Sequence, residues 1–213
     1  HQLPAIIVVA PLVMSFIVFT VGWRYKKPAY PLVTGVLAIC LLSAVTILMT
    51  VIKNGAIDYW LGGWKPPWGI AFRIDHLNAI MLVLISLLSL LSSIHAKLSV
   101  ERELTDKTTP FWSLFLLLIT GLLGICITGD LFNLFVFFEV LLIASYGLMI
   151  HAGGNARLRA GVQYVLFNLM GSTLFLFALG AIYAQTGTLN MADLAQRLAN
   201  IDPEETVGIR LAA

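Results

Sequence analysis

The sequence predicts an all-α membrane protein: six transmembrane helices, with a short interfacial β-hairpin between the second and the third. Three observations carry this reading. Of 213 residues, 59% are hydrophobic and only 11% charged, whereas a soluble domain carries about 25% charged residues. Mean hydropathy is +0.92. The apolar residues gather into six runs, each close to the roughly 20 residues that cross a ~30 Å hydrocarbon core. One transmembrane domain over residues 1–213 is expected, with no soluble domain.

The first span covers about residues 3–23. It is too long for a signal peptide and lacks a small-residue cleavage site. The second, 31–52, lies between KKPAYP and KNG. The connection that follows is rich in Trp, Gly and Pro. Its Pro66-Pro67 pair forbids regular helix. The alternation around Tyr59–Trp60 and Ile70–Phe72 suits a hairpin at the membrane interface, where Trp and Tyr prefer to sit. The third span, 77–96, begins behind Asp75, a helix-capping residue type. The charged stretch KLSVERELTDKTT precedes the fourth span, 111–128, which starts after Pro110. Thr128-Gly129-Asp130 is expected to form only a tight turn, with Asp130 hydrated at the next helix start. The fifth span covers 131–150, and the loop HAGGNARLR leads to the sixth, 161–185. An amphipathic helix is expected at 191–199, with Met191, Leu194, Ala195 and Leu198 on one face.

Lys and Arg concentrate in short loops on the cytoplasmic side. With the N-terminus outside, eight of the 13 basic residues fall in inner loops (Arg24, Lys26, Lys27, Lys97, Arg102, Lys107, Arg157, Arg159). Five fall outside (Lys53, Lys65, Arg73, Arg197, Arg210). Both ends of the segment are therefore expected outside, in a multi-pass protein of the cell (plasma) membrane.

Glu139 carries the most information. No other carboxylate, and no base, interrupts Leu131–Ile150. At ~1.5 Å per residue it lies ~12 Å into its helix, near the bilayer midplane. A carboxylate there is costly unless neutral, paired or wetted, which marks a functional site. The plainer alternative is a protonated glutamate hydrogen-bonded inside a bundle. Its helix face carries Phe132, Phe135, Leu142, Ile143 and Tyr146, so any base or cation must come from elsewhere. Burial favours a protonated carboxyl and a nearby cation favours an ionised one; a cation that moves could load and unload one proton. The sixth span offers Tyr164, Asn168, Gly171, Ser172 and Phe175 on one side, where small residues permit close approach. Asn168 and Ser172 could hold water, or could simply bond between helices.

The remaining polar residues read more plainly. Thr34, Ser43, Thr46, Ser86 and Ser89 are packing residues that bond their own helix backbone. His76, His95 and His151 fall at helix ends; His151 is held as a supporting candidate because it ends the Glu139 helix. Cys40 and Cys126 sit in apolar runs and read as small hydrophobes. No metal or cofactor site is expected. No nucleophile–base pair or phosphate loop points to covalent catalysis, and the net charge of +2 without a basic patch argues against nucleic acid.

The segment GDLFNLFVFFEVLLIASYGL resembles the fifth helix of the D-type membrane protein of the Mrp-type sodium/proton antiporters. It is similar, too, to the antiporter-like subunits of respiratory complex I and membrane-bound hydrogenases. LGGWKPPWGIAFRID resembles that family's connection between helices two and three, and VQYVLFNLMGSTLFLFALGAIYAQTGTLNMADLA its sixth helix and following segment. The resemblance runs from about Tyr59 to about Leu198. It implies that Glu139 is the proton-coupling glutamate, paired with a lysine on a broken seventh helix. It also implies a subunit of roughly fourteen helices built from two inverted five-helix repeats, of which this chain is the N-terminal portion. The implied partners are other membrane subunits of a hetero-oligomer, the lipid bilayer, and H+ and Na+ as transported ions. The implied activity is cation/proton exchange; proton pumping within a complex I-like quinone reductase or a hydrogenase is the alternative.

Overall fold

The computed structural model describes residues 2–25, 29–64, 69–104, 107–151 and 153–199. The chain runs α1 (Leu3–Tyr25), α2 (Tyr30–Asn54), β1 (Ile57–Trp60), a single 3₁₀ turn, β2 (Ala71–Ile74), α3 (His76–Glu103), α4 (Thr108–Ile127), α5 (Leu131–His151), α6 (Asn155–Thr186) and α7 (Met191–Ala199). Among the described residues, 6 helices are long and apolar enough to cross a membrane. The Pro66-Pro67 pair and the basic residues Lys26, Lys27, Lys65 and Arg210 lie outside the described residues.

All six spans and the amphipathic segment appear where the apolar pattern puts them, but three helices outrun their apolar runs. α3 continues to Glu103 because Lys, Glu and Arg are good helix formers once the chain leaves the hydrocarbon. His95 therefore lies two turns inside α3 and not at its end. α4 starts at Thr108 with Pro110 in its first turn, where the missing N–H has no helical partner to lose. α6 starts at Asn155, so its charged opening is helix. The α5–α6 connection shrinks to a turn through Gly153 (φ 78°) and Gly154 (φ 99°), a conformation glycine adopts without steric cost.

The core is built by α1–α4 and the hairpin. α1 packs against α2 and α4, and α2 packs against α3. Lipid is as apolar as leucine, so these contacts rest on close packing and on interhelical hydrogen bonds. Ser15 and Ser113 supply such a bond in both directions: each hydroxyl donates to the other's carbonyl at 2.9 Å. At the other flank of this bundle Trp112 is fully buried with Tyr30 set edge-on at 5.4 Å, and the Lys97 ammonium sits 4.7 Å above the Tyr30 ring. Thr34, Thr46 and Ser89 donate to their own helix carbonyls as expected. Ser86 differs: its buried hydroxyl has no hydrogen-bond partner among the described residues.

The hairpin is antiparallel, pairing Ile57 with Ile74 and Trp60 with Ala71. Its inner face buries Phe72 and Ile74, and Tyr59 stacks on Phe72 at 6.3 Å. Asp75 caps α3 as expected, accepting from the Asn78 N–H at 2.9 Å. Thr128-Gly129-Asp130 is more than a tight turn. Thr128 pairs with Phe72 and Asp130 with Asn190. The Gly129 N–H donates to the Ala71 carbonyl at 2.8 Å, and Met191 N–H to the Gly129 carbonyl at 2.9 Å. Four extended segments thus form a small plate at the hairpin end of the bundle. Helix ends leave unbonded backbone groups, and a plate of extended backbone can satisfy them where water is scarce.

α5 docks on α4 along a glycine seam. A Cβ at Gly121 would lie 2.7 Å from the Leu141 Cβ and 3.0 Å from its backbone, and one at Gly124 would overlap the Phe137 ring. Gly121→Val should therefore push α5 off α4. The expected cost is about 1–3 kcal/mol, read as a lower thermal midpoint of the detergent-solubilised protein; an unchanged midpoint would show that the seam is not tight.

Candidate functional site: a carboxylate on the open face of α5

Glu139 lies eight residues past the start of α5. The residues that meet the glycine seam, Phe137 and Leu141, are each two positions away, or about 200° around the helix. Glu139 therefore points away from α4 and the core. Half of the α4 span is buried (50%), against 6% of the α5 span and 6% of the α6 span. The glutamate is half-buried, yet its Oε1 is shielded from solvent and has no hydrogen-bond partner among the described residues. An unpaired polar atom in such surroundings is costly; the Ser86 hydroxyl shares this condition, but Glu139 alone of the two is ionisable.

α6 supplies the facing wall. Phe175 meets Phe135 at 6.1 Å and Phe138 at 6.4 Å, while Tyr164 meets Tyr146 edge-on at 5.4 Å. These ring contacts share one antiparallel register, which sets Glu139 level with Gly171. A Cβ placed on Gly171 would have nothing within 4 Å. Along the α5–α6 contact the carboxylate thus lies between the Phe135–Phe175 pair and the Tyr146–Tyr164 pair, level with a glycine that has free space beside it.

The sequence-derived supporting residues divide. Tyr146 is on the Glu139 face and pairs with Tyr164, as the helical periodicity requires. Asn168 and Ser172 lie near the Glu139 level on α6, but each bonds its own helix: Asn168 donates to the Tyr164 carbonyl at 2.8 Å and Ser172 to the Leu169 carbonyl at 3.3 Å. Neither bonds Glu139. His151 is twelve residues from Glu139, ~18 Å along the axis. Its Nε2 donates to the Lys107 carbonyl at 2.6 Å, which ties the end of α5 to the start of α4 and does not bring the ring to the carboxylate.

Asp130 is not freely hydrated. It is half-buried in the plate, and its Oδ1 accepts the Asn133 N–H at 2.8 Å. Desolvation by burial raises its pKa, partly offset by the N–H groups of Asn133 and Phe132. Asn133 is buried and also donates to the Thr128 hydroxyl at 3.0 Å. Asn78 was missed in the sequence: its side-chain amide donates to the Cys126 carbonyl at 2.6 Å and the Arg73 carbonyl at 3.2 Å. The available signal was an amide three residues behind a helix cap, which is polar enough to reach out but looks like ordinary interfacial sequence. No group of three or more His, Cys, Asp or Glu able to hold a metal occurs among the described residues.

The fold and the site together describe a multi-pass helical membrane subunit with one carboxylate on the open face of α5. Residues 128–210 match the family described as NADH:quinone oxidoreductase/Mrp antiporter, transmembrane. The chain is 42% identical over 181 residues to the D-type component of a probable K(+)/H(+) antiporter of Rhizobium meliloti, an alignment covering 83% of this chain and 33% of that one. It superposes on a chain of the membrane-bound sulfane sulfur reductase, an archaeal respiratory membrane complex, with a TM-score of 0.89 and 31% identity, covering 100% of this chain and 42% of the other. For the Mrp complex of Dietzia sp. DQ12-45-1b the TM-score is 0.82 at 30% identity, covering 99% and 40%. The chain belongs to the family of antiporter-like membrane subunits shared by Mrp antiporters and respiratory complexes. It spans about a third of the length of the curated relative it matches, at 33%.

Asp130→Asn should be mild, because asparagine caps a helix about as well as aspartate and keeps the acceptor. A raised carboxyl pKa means that folding favours the protonated form, so its contribution to stability falls as pH rises from the unfolded value to the folded one. The variant should remain within about 1 kcal/mol of the parent and lose that pH dependence, as followed by thermal midpoints from pH 4 to 8.

Proposed function

We propose that this chain is the N-terminal portion of the ion-translocating subunit of a multisubunit cation/proton antiporter, in which Glu139 carries the exchanged proton. The observation that carries the reading is the shielded, unpartnered Glu139 oxygen on the side of α5 that faces away from the packed core. A carboxylate so placed alternates between neutral and charged states as an approaching cation comes and goes. Na+ or another monovalent cation is the exchanged ion; the Rhizobium relative bears the name of a potassium/proton antiporter component. The cationic partner of Glu139 would come from a segment packed on the open α5–α6 face. Tyr146 closes one side of that space, and Asn168 and Ser172 offer amide and hydroxyl groups to water within it. His151 anchors the end of the same helix.

The partners are other membrane subunits, as in the multisubunit complexes that this fold matches. We place the assembly in the plasma membrane, with the hairpin end and the N-terminus of this chain outside, because Lys97, Arg102, Lys107, Arg157 and Arg159 gather at the opposite end and basic residues favour the cytoplasmic side. A second reading, a proton-pumping membrane subunit of a complex I-like quinone reductase or a membrane-bound hydrogenase, draws on the superposition with the archaeal respiratory complex. Both readings use Glu139; they differ in whether redox subunits accompany the chain.

Glu139→Gln should leave assembly intact and reduce cation-driven collapse of a pH gradient in everted membrane vesicles to background. Wild-type exchange by that variant would remove Glu139 from the proton path. Purification of the native complex separates the two readings, since redox cofactors co-purifying with the chain would favour the pump.

A further inference from the structure

The Cys126 carbonyl belongs to the last turn of α4, where backbone acceptors have no helical donor. It is met by the amide of Asn78, from the first turn of α3, at 2.6 Å. The same amide holds the Arg73 carbonyl at the end of the hairpin at 3.2 Å, and the Asn78 backbone N–H is fixed by Asp75 at 2.9 Å. One side chain therefore ties together the hairpin, the start of α3 and the end of α4. From there the chain of contacts continues into α5. Thr128 pairs with Phe72 and its hydroxyl accepts from Asn133, while the Leu131 N–H donates to the Leu189 carbonyl at 2.9 Å. A cleft of about 360 Å³ opens beside this corner, with Asp58, Arg73, Asp75, Asn78 and Thr128 in its walls.

We propose that Asn78 is a positioning residue for ion movement: its amide clamps the α4–α5 corner and thereby sets the placement of the Glu139 helix. The proposal rests on the role assigned to Glu139 above. Asparagine suits the task because one NH₂ group supplies two donors and both acceptors here are backbone carbonyls. Aspartate, of the same shape, would present acceptors to acceptors. Without the clamp, water from the cleft reaches the corner, the first turn of α5 frays, and the helix no longer holds Glu139 at one fixed height against α6.

The test is made in the complete complex with Asn78→Ala, Asn78→Asp and Asn78→Gln. Two quantities are followed: amide hydrogen exchange over residues 131–134, and the pH midpoint of cation-driven proton exchange in vesicles. With Asn78→Ala, amide exchange is expected to speed up between about threefold and tenfold, and the midpoint to move by about half a unit. Asn78→Gln, which keeps the donors, should recover part of both. Unchanged amide exchange would overturn the clamp. Faster amide exchange with an unmoved midpoint would reduce Asn78 to a purely structural residue and overturn its positioning role. Should Asn78→Ala fail to assemble, the isosteric Asn78→Asp is judged by the same two readouts. Glu139→Gln, assayed alongside, separates the two ideas: if it retains exchange, the role of Glu139 fails, and amide exchange alone judges the clamp.

Discussion

Hydrocarbon offers a peptide group no hydrogen bond, so every N–H and C=O in the membrane must be satisfied by the protein itself. Helices meet this demand along their length and fail it at their ends. Much of what is distinctive in this molecule answers that failure. Asp75, Asp130 and Asn190 accept the first N–H groups of α3, α5 and α7. The plate of extended backbone closes the α4–α5 and α6–α7 corners. Arg197 reaches back from α7 to the Thr186 carbonyl at the end of α6. Ends treated in this way can sit close to the membrane, and the helices between them keep fixed heights relative to one another.

Against that background the Glu139 oxygen is the exception. The chain spends side chains to satisfy carbonyls at its corners and leaves a carboxylate oxygen unpaired in the middle of a helix. Of the two buried polar atoms without a partner among the described residues, the Ser86 hydroxyl and the Glu139 oxygen, only the second belongs to an ionisable group, and a costly exception of that kind is where function is sought. The glycine seam reinforces the contrast: Gly121 and Gly124 let α5 press one face into the bundle, which leaves the opposite face, with its glutamate, turned outward toward α6.

Most of the architecture could be read from composition because the bilayer allows so few solutions. Six apolar runs, a Trp-rich interfacial hairpin and an amphipathic ending each have one physical interpretation, and each appears. Helix bounds were less legible, since residues such as Arg102 and Arg157 are hydrophilic yet good helix formers. Asp130 and the corner around it were misread as a hydrated turn because extended backbone pairing depends on Phe72 and Asn190, which are distant in sequence. Glu139 stood out in the sequence by the cost of a carboxylate inside an apolar run. The roles of Asn168 and Ser172 did not, because a polar side chain in a membrane helix can always turn back to its own backbone, as both do.

The outward-facing glutamate bears on how such a chain enters the membrane. Synthesis proceeds from the N-terminus, so α1 to α4 emerge before α5. Their apolar bundle, with the reciprocal Ser15–Ser113 bonds, presents a finished glycine-lined groove to the helix that follows. α5 seats in that groove by its Phe137 and Leu141 side, and the side that bears Glu139 has no packed interior to pass through. Placing the ionisable group on the late, open surface lets the scaffold settle first and leaves the costly residue to be accommodated by what arrives afterwards.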